Sequence, residues 1–391
     1  MMKERCEFEV SMLLSYKYRI EPNRTQQATL AEMLSGFCDL YNAALQQRIE
    51  AYKRRGISVS YYMQSAELRD LRAEIPELAR WSFSAEQQVL RRLDKTFRAF
   101  FRRGHGFPRF RAKARFHAAE MRVSDGLTLH KSGKLGIVGI PGEIRVRWHR
   151  VLPSKPASAI LTRQNGKWYI IFHVEVAAGE RERKSSVGLD LGLQKLVALA
   201  PGDPIVRPNW TKRALRELRR RQRAIARCKR GSTRRAKRVD QLAKMHEHVA
   251  NKRRDHLHKV SRALVDRYDR IAIEDLQIKP MLAKRPYLAR DIHDAAWATL
   301  TAMLDYKAER AGVELIKVES SGTSSTCPRC GAVVAKPLHQ RMHRCECGFV
   351  GDRHEVAAMV VHHRAFGYWP GAGQKSLSQH NGAGLTQKPL P

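Results

Sequence analysis

The sequence predicts an α+β protein of more than one domain. Three observations predict it. A strand-like opening runs into a helical block and then into β texture; the second half alternates apolar strands with helices; and four of the seven cysteines crowd near its end. At 391 residues the chain is long enough for two or three domains with a sizeable core.

The opening "SYKYRI" sets Tyr16, Tyr18 and Ile20 against Lys17 and Arg19, the alternation of a half-buried strand. Pro22 ends it and Thr25 is the expected cap of a helix. In that helix Leu30, Met33, Leu34, Phe37, Leu40, Tyr41, Ala44 and Leu45 recur at helical spacing. A second helical block covers roughly 64–103, and its Phe97, Phe100 and Phe101 are read as core rather than as a platform for bases. From about 117 to 178 the texture is β, with Asn165-Gly166 marking a hairpin. That β region is expected to complete a barrel begun by the first strand.

"GERERKSS" (179–186) is a charged linker and a domain boundary. "VGLDLGLQKLVALA" reads as one apolar strand carrying Asp190. A long basic helical pair, 210–268, follows. "RIAIEDLQI" is a second apolar strand and carries Glu274. "DIHDAAWATLTAMLDYKAERAG" reads as one amphipathic helix and "VELIKVES" as a strand. The cysteines come next, then a last helix to about Phe366. The tail, 367–391, is Gly/Pro/Gln-rich and expected to be disordered.

A formal net charge of +35 exceeds what solubility asks for and calls for a polyanion, nucleic acid above all. The sequence contains no apolar run that would span a bilayer and no signal-peptide pattern, so a cytosolic protein is expected. Between 211 and 238, Arg216, Arg219, Arg220, Arg223, Arg227, Lys229, Arg230, Arg234 and Arg235 stand among almost no acids, on every face of the helix. They are the expected contacts to a nucleic-acid backbone, which add salt-dependent affinity without sequence information.

Cys327 and Cys330 form Cys-x2-Cys; fourteen residues later Cys345 and Cys347 form Cys-x-Cys. Four thiolates in two knuckles suit a closed, structural zinc site. The second knuckle is tighter than usual, which leaves His343 as a candidate replacement ligand. Cys6, Cys38 and Cys228 are isolated thiols. Asp190 and Glu274 each interrupt an apolar strand. A carboxylate there costs several kcal/mol unless it is paired or binds a cation. Two such acids, joined by a third from a helix, can hold two Mg²⁺ (or Mn²⁺) ions for phosphodiester hydrolysis. The alternative is a pair of acids tied to arginines and strand ends.

Taken together, "YRIEPNRTQQATL", "GFPRFR", "VGLDLGL", "IAIEDLQI", "SSGTSSTCPRCG" and "RCECGFVGDRHEVAA" resemble the motifs of the TnpB family, transposon-associated RNA-guided DNA endonucleases related to the type V CRISPR effectors. The resemblance extends to about residue 365. It implies a wedge β-barrel (12–22 and 112–180), an inserted helical recognition bundle (23–111), a ribonuclease H-like RuvC domain (185–366) and a zinc ribbon within it (320–350). It also implies a guide RNA and a target DNA, with base pairing reading the target.

By the same resemblance Asp190 is the first metal-binding acid and Glu274 the second. The family's third motif reads "DRDxNAA"; this chain reads "DRHEVAA", with His354 in place of the third acid and Val356 in place of the Asn. Asp352 is the expected third acid, two residues early at the helix start. Its capping-box spacing to Glu355 gives it a structural role as well. Alternatively His354 serves, or the site is inactive and the protein is an RNA-guided DNA-binding repressor. A basic zinc-ribbon RNA-binding protein is the reading from another class. Strand transfer is not expected, because no tyrosine nucleophile lies near a His-hydrophobe-His pattern.

Overall fold

In a computed structural model, residues 11–102, 104–284, 286–337 and 339–370 are described. Cys6 and the tail beyond residue 370 lie outside them. The chain divides into two units, Met1–Ala177 and Ala178–Pro391.

In the first unit, β1 (Ser11–Glu21) buries Met12, Leu14, Tyr16, Tyr18 and Ile20 and turns the residues between them outward, as its alternation requires. Asn23, not Thr25, caps α1 (Arg24–Arg55). Its side chain accepts the Gln26 N–H at 2.8 Å, and its own N–H donates to Gln26 Oε1 at 3.0 Å. Asn23 is the residue with extended backbone before the first turn, so Thr25 already lies inside the helix. The second helical block is three helices: α2 (Tyr61–Glu74), α3 (Pro76–Ala79) and α4 (Phe83–Phe101). Pro76 starts one and Ser82 caps the next.

The buried face of α4 ends at Leu93. Phe97 and Phe100 beyond it are only half-buried, and Phe101 is 70% exposed. These rings pack on one another and on Phe107, with centroids 5.3–6.2 Å apart, so they form a surface cluster and not the core the spacing predicts.

Six strands follow: β2 (Ala118–Arg122), β3 (Leu127–Leu129), β4 (Leu135–Ile137), β5 (Arg145–Arg147), β6 (Ser158–Gln164) and β7 (Lys167–Ala177). β6 and β7 meet at Asn165-Gly166, both at positive φ, as the dipeptide predicts. An antiparallel sheet runs β2-β6-β7-β1-β5, and β3-β4 form a separate hairpin. The expected barrel is not closed: among the described residues β2 and β5 are edges and do not pair.

In the second unit, β8 (Ser186–Leu191) and β9 (Lys195–Ala200) are an antiparallel hairpin, not the one strand expected, because the chain reverses at Gly192–Gln194. Then come β10 (Ile205–Val206), α5 (Trp210–Ala226), α6 (Thr233–Arg267), β11 (Arg270–Asp275), α7 (Ile278–Lys284), α8 (Ala289–Ala295), α9 (Trp297–Ala311) and β12 (Glu314–Glu319). The helix read as continuous from Asp291 breaks at Ala296, whose φ is 53°. β13 (Met342–Arg344), β14 (Val350–Asp352) and α10 (Arg353–Phe366) complete the unit.

The sheet order is β10-β9-β8-β11-β12; β8, β11 and β12 are parallel, and β9 runs antiparallel to both its neighbours, β8 and β10. Val187, Leu189, Ile271 and Ile273 share one core with Leu257 and Leu264 of α6 and Trp297, Leu300 and Leu304 of α9. Small residues meet α10: Ala198 and Ala200 pack with Ala358, and Ala272 with Val361. At Gly188 a Cβ would lie 2.2 Å from the Ala358 carbonyl oxygen, so only glycine lets the helix sit this close. Among the described residues no helix is long and apolar enough to cross a membrane.

Candidate active site and metal centre

The parallel ladder of β8 and β11 pairs Gly188 with Ala272 and Leu189 with Ile273. The next residue on each strand is Asp190 and Glu274. Strand alternation gives both the face of Gly188 and Ala272, the face under α10. Both are buried, at 6% and 7% exposure. Burial first, and then the neighbouring Asp190 carboxylate, push the Glu274 carboxyl up to about 8, against the opposing hydrogen bond from Thr323 and the charge of Arg364. Buried Thr323 donates its hydroxyl to Glu274 Oε1 at 2.5 Å.

The start of α10 supplies the remaining groups. Asp352 is its N-cap: Oδ1 accepts the backbone N–H of His354 at 2.9 Å and of Glu355 at 3.3 Å. Lys195 of β9 lies 3.3 Å from Asp352 and 3.0 Å from Glu355. Burial works against the charge on Asp352, but the His354 N–H and the Lys195 ammonium hold its carboxyl below the usual range. Burial likewise opposes the charge on Lys195, yet its bond to Glu355 and the charge of Asp352 keep its pKa above the ordinary lysine value.

His354, two residues further on, reaches Asp190. Its Nδ1 is 2.6 Å from Asp190 Oδ2, and its Nε2 is 3.2 Å from the guanidinium of Arg341. Asp190, Glu274 and His354 thus share a locality, while Asp352 is turned to its helix and to Lys195.

The ribbon cysteines converge. Cys327 and Cys347 sulfurs are 3.6 Å apart, Cys330 and Cys345 sulfurs 3.5 Å, and all four lie within 4.8 Å of one another. A tetrahedral ion with arms of about 2.3 Å separates its sulfurs by about 3.8 Å, so the four thiols fit one. Burial would raise the Cys327 thiol, but the backbone N–H groups of Cys330 and Arg329 and the neighbouring thiols bring it down to about 7. His343 is buried on β13, and its Nδ1 is 2.7 Å from the Lys336 ammonium. It is not part of the four-thiol group.

Among the described residues those cysteines are the group that brings three or more ligand atoms within 4.8 Å; no such group forms around Asp190. Two buried carboxylates of like charge, side by side, nonetheless suit one hard divalent cation, whose charge would offset their repulsion.

α5 packs on α6 through a stripe that buries Leu218. It is strongly amphipathic, so its basic residues do not occupy every face as the sequence suggests. Arg220, Arg223, Arg227, Lys229, Arg234 and Arg238 line one cleft at the α5–α6 turn. Arg216, Arg219 and Arg230 are exposed outside it, and Arg235 is half-buried. Arg220 is held by Glu217 at 2.7 and 2.8 Å.

Thr323, Lys195 and Arg341 were not picked out from the sequence. Thr323 sits in the Ser/Thr run before the first cysteine. Lys195 has no sequence signal, because its partners are 157 or more residues away, as the pairing of 195 with 352 shows.

The chain has an α+β fold. Its fold is similar to the protein in a cryo-EM structure of a Cas12f1–sgRNA–target DNA complex, with a TM-score of 0.57 at 13% identity, covering 86% of this chain and 82% of that one. Family profiles match in three places: a "helix-turn-helix domain" over 12–56, a "probable transposase" over 169–285 and a "Cas12f1-like, TNB domain" over 297–361. The first of these segments folds here as strand β1 and the single long helix α1. A Streptomyces pristinaespiralis protein named "Putative RNA-guided DNA endonuclease" is 33% identical over 355 residues, 89% of this chain and 88% of its own length. InsQ of Escherichia coli K12, named in the same way, is 26% identical over 353 residues, 85% and 87% of the two chains. The chain belongs to the TnpB family.

Proposed function

We propose that the protein is an RNA-guided DNA endonuclease that hydrolyses phosphodiester bonds at Asp190 and Glu274. The observation that carries this reading is the register that sets these two buried acids side by side beneath α10. Guide RNA and target DNA are its partners, read by base pairing rather than by side chains. Such a protein works with the genome, in the cytosol or nucleoid.

Asp190 and Glu274 would hold Mg²⁺ or Mn²⁺, which when bound activates water and stabilises the leaving oxygen. His354 orients the Asp190 carboxylate, and Thr323 orients that of Glu274. Arg341 brings a fixed positive charge to the same edge of the site, suited to a phosphate oxygen. Cys327, Cys330, Cys345 and Cys347 would bind structural zinc, whose S₄ donor set and closed geometry leave no place for substrate.

The mixed sheet of the second unit supports a ribonuclease H-like RuvC domain over 185–366 with the ribbon at 320–350. The antiparallel sheet supports a wedge domain of 12–22 and 112–180 around the helical bundle at 23–111. The arginines of α5 and the α5–α6 turn are assigned to phosphates of the guide or the guide–target duplex. The names of the relatives do not favour a nuclease-inactive repressor or a ribosome-type RNA-binding protein.

The test is cleavage of a guided plasmid with Mg²⁺ by wild type, Asp190→Ala and Glu274→Ala. Cutting by wild type alone is the expected result. Guided binding without cutting in all three proteins would overturn the endonuclease reading.

A further inference from the structure

We propose that His354 is a positioning residue and not a metal ligand, and that the site consequently binds one divalent cation, with the Lys195 ammonium standing beside the acids of the helix start. This rests on the reading of Asp190 and Glu274 as metal ligands.

The argument begins with the imidazole. A ligating histidine needs a free nitrogen lone pair. The Arg341 guanidinium can only donate, so the Nε2 it faces at 3.2 Å is the acceptor. The other nitrogen then carries the proton, and Nδ1–H donates to Asp190 Oδ2 at 2.6 Å. Both ring nitrogens are occupied. The ring does for Asp190 what an outer-sphere partner does for a metal ligand: it fixes the carboxylate's orientation.

The other carboxylate within reach of the helix start is committed as well. Asp352 Oδ1 caps α10 and faces Lys195, which also bonds Glu355. A lysine ammonium therefore already neutralises the acids at the helix start, and among the described residues no third carboxylate joins Asp190 and Glu274 within metal-binding range. A second ion would have to displace an ammonium and do without a third carboxylate.

The experiment counts Mn²⁺ bound to the full chain, with its ribbon already loaded, by electron paramagnetic resonance titration. Wild type is expected to bind one Mn²⁺ that Asp190→Ala abolishes. His354→Asn, whose amide N–H can still donate to Asp190, is expected to keep one. His354→Asp, with a carboxylate at the same place, is expected to bind two. Two Mn²⁺ in wild type, or one in a His354→Asp protein with an unchanged melting temperature, would overturn the proposal. Loss of the single Mn²⁺ in His354→Asn would do so too, since it would make the imidazole itself a ligand. A wild-type stoichiometry of one that survives Asp190→Ala is a different result: it would sink the underlying assignment of Asp190 and Glu274.

Discussion

Asp352 and His354 stand two residues apart and do opposite things. Asp352 turns inward on its own helix, accepting the His354 backbone N–H at 2.9 Å, while the His354 ring turns away from the helix to Asp190 at 2.6 Å. The carboxylate of the pair is held by the helix cap, and the imidazole reaches Asp190.

Asp352→Ala should consequently behave as a stability variant. Loss of an N-cap costs about 1 kcal/mol. The melting temperature should drop by a few degrees while guided cleavage stays within about tenfold of wild type, a second-sphere effect at most. Complete loss of cleavage in a folded Asp352→Ala protein would instead make Asp352 the third acid.

Asp190→Ala and Glu274→Ala should each reduce guided cleavage by roughly three orders of magnitude or more, the scale of losing several kcal/mol of metal-assisted stabilisation. Gel-shift affinity for guide RNA and target should be unchanged. A parallel fall in binding would make these acids structural.

The metal-free protein should lose stability as pH rises. Glu274 is raised from 4.5 to about 8 in the folded chain, so the folded state binds the extra proton between those values. Stability from this group is full below pH 4.5 and is lost as pH climbs through that window toward 8. Melting curves from pH 5 to 8 should fall more steeply for wild type than for Glu274→Gln, and Mg²⁺ should lift the wild-type curve at pH 8. Equal slopes for the two proteins would contradict it.

The ribbon should hold one metal ion per chain by elemental analysis. Cys327→Ser should lose it, whereas His343→Ala should retain it, because the His343 ring faces Lys336 and not the thiols. Metal loss in His343→Ala would return that residue to the ligand set.

Arg223→Ala and Arg227→Ala, in the cleft at the α5–α6 turn, should each lower the slope of log affinity against log salt by about 0.7–0.9 for every phosphate contact removed. The effect should be the same for different guide sequences. A guide-dependent effect would mean that these residues read bases.

Much of this was legible in the chain. Alternation gave β1, Asn-Gly gave the β6–β7 turn, and Cys-x2-Cys with Cys-x-Cys gave the four-thiol cluster. Asp190 and Glu274 were visible because an acid in an apolar strand is costly. Other features were decided by tertiary contact. The hairpin within 186–200 was hidden because both its strands are apolar and Gly192 alone marks the reversal. Barrel closure depends on whether β2 meets β5, which no local pattern encodes. Phe97, Phe100 and Phe101 have helical spacing, but periodicity cannot say where the neighbouring elements stop. The partition of tasks between Asp352 and His354 is likewise set by tertiary contact, since the N-cap and the first turn stand side by side in the sequence.

The contact between Gly188 and Ala358 sets how exchangeable position 354 is. Because main chain abuts main chain there, the height of α10 over the sheet does not depend on which side chain occupies its first turn. Residue 354 is then an interchangeable fitting on a fixed mount, and histidine and aspartate codons differ by one base. A lineage carrying this fold can move between the two chemistries by a single substitution, without rebuilding the scaffold that holds Asp190 and Glu274.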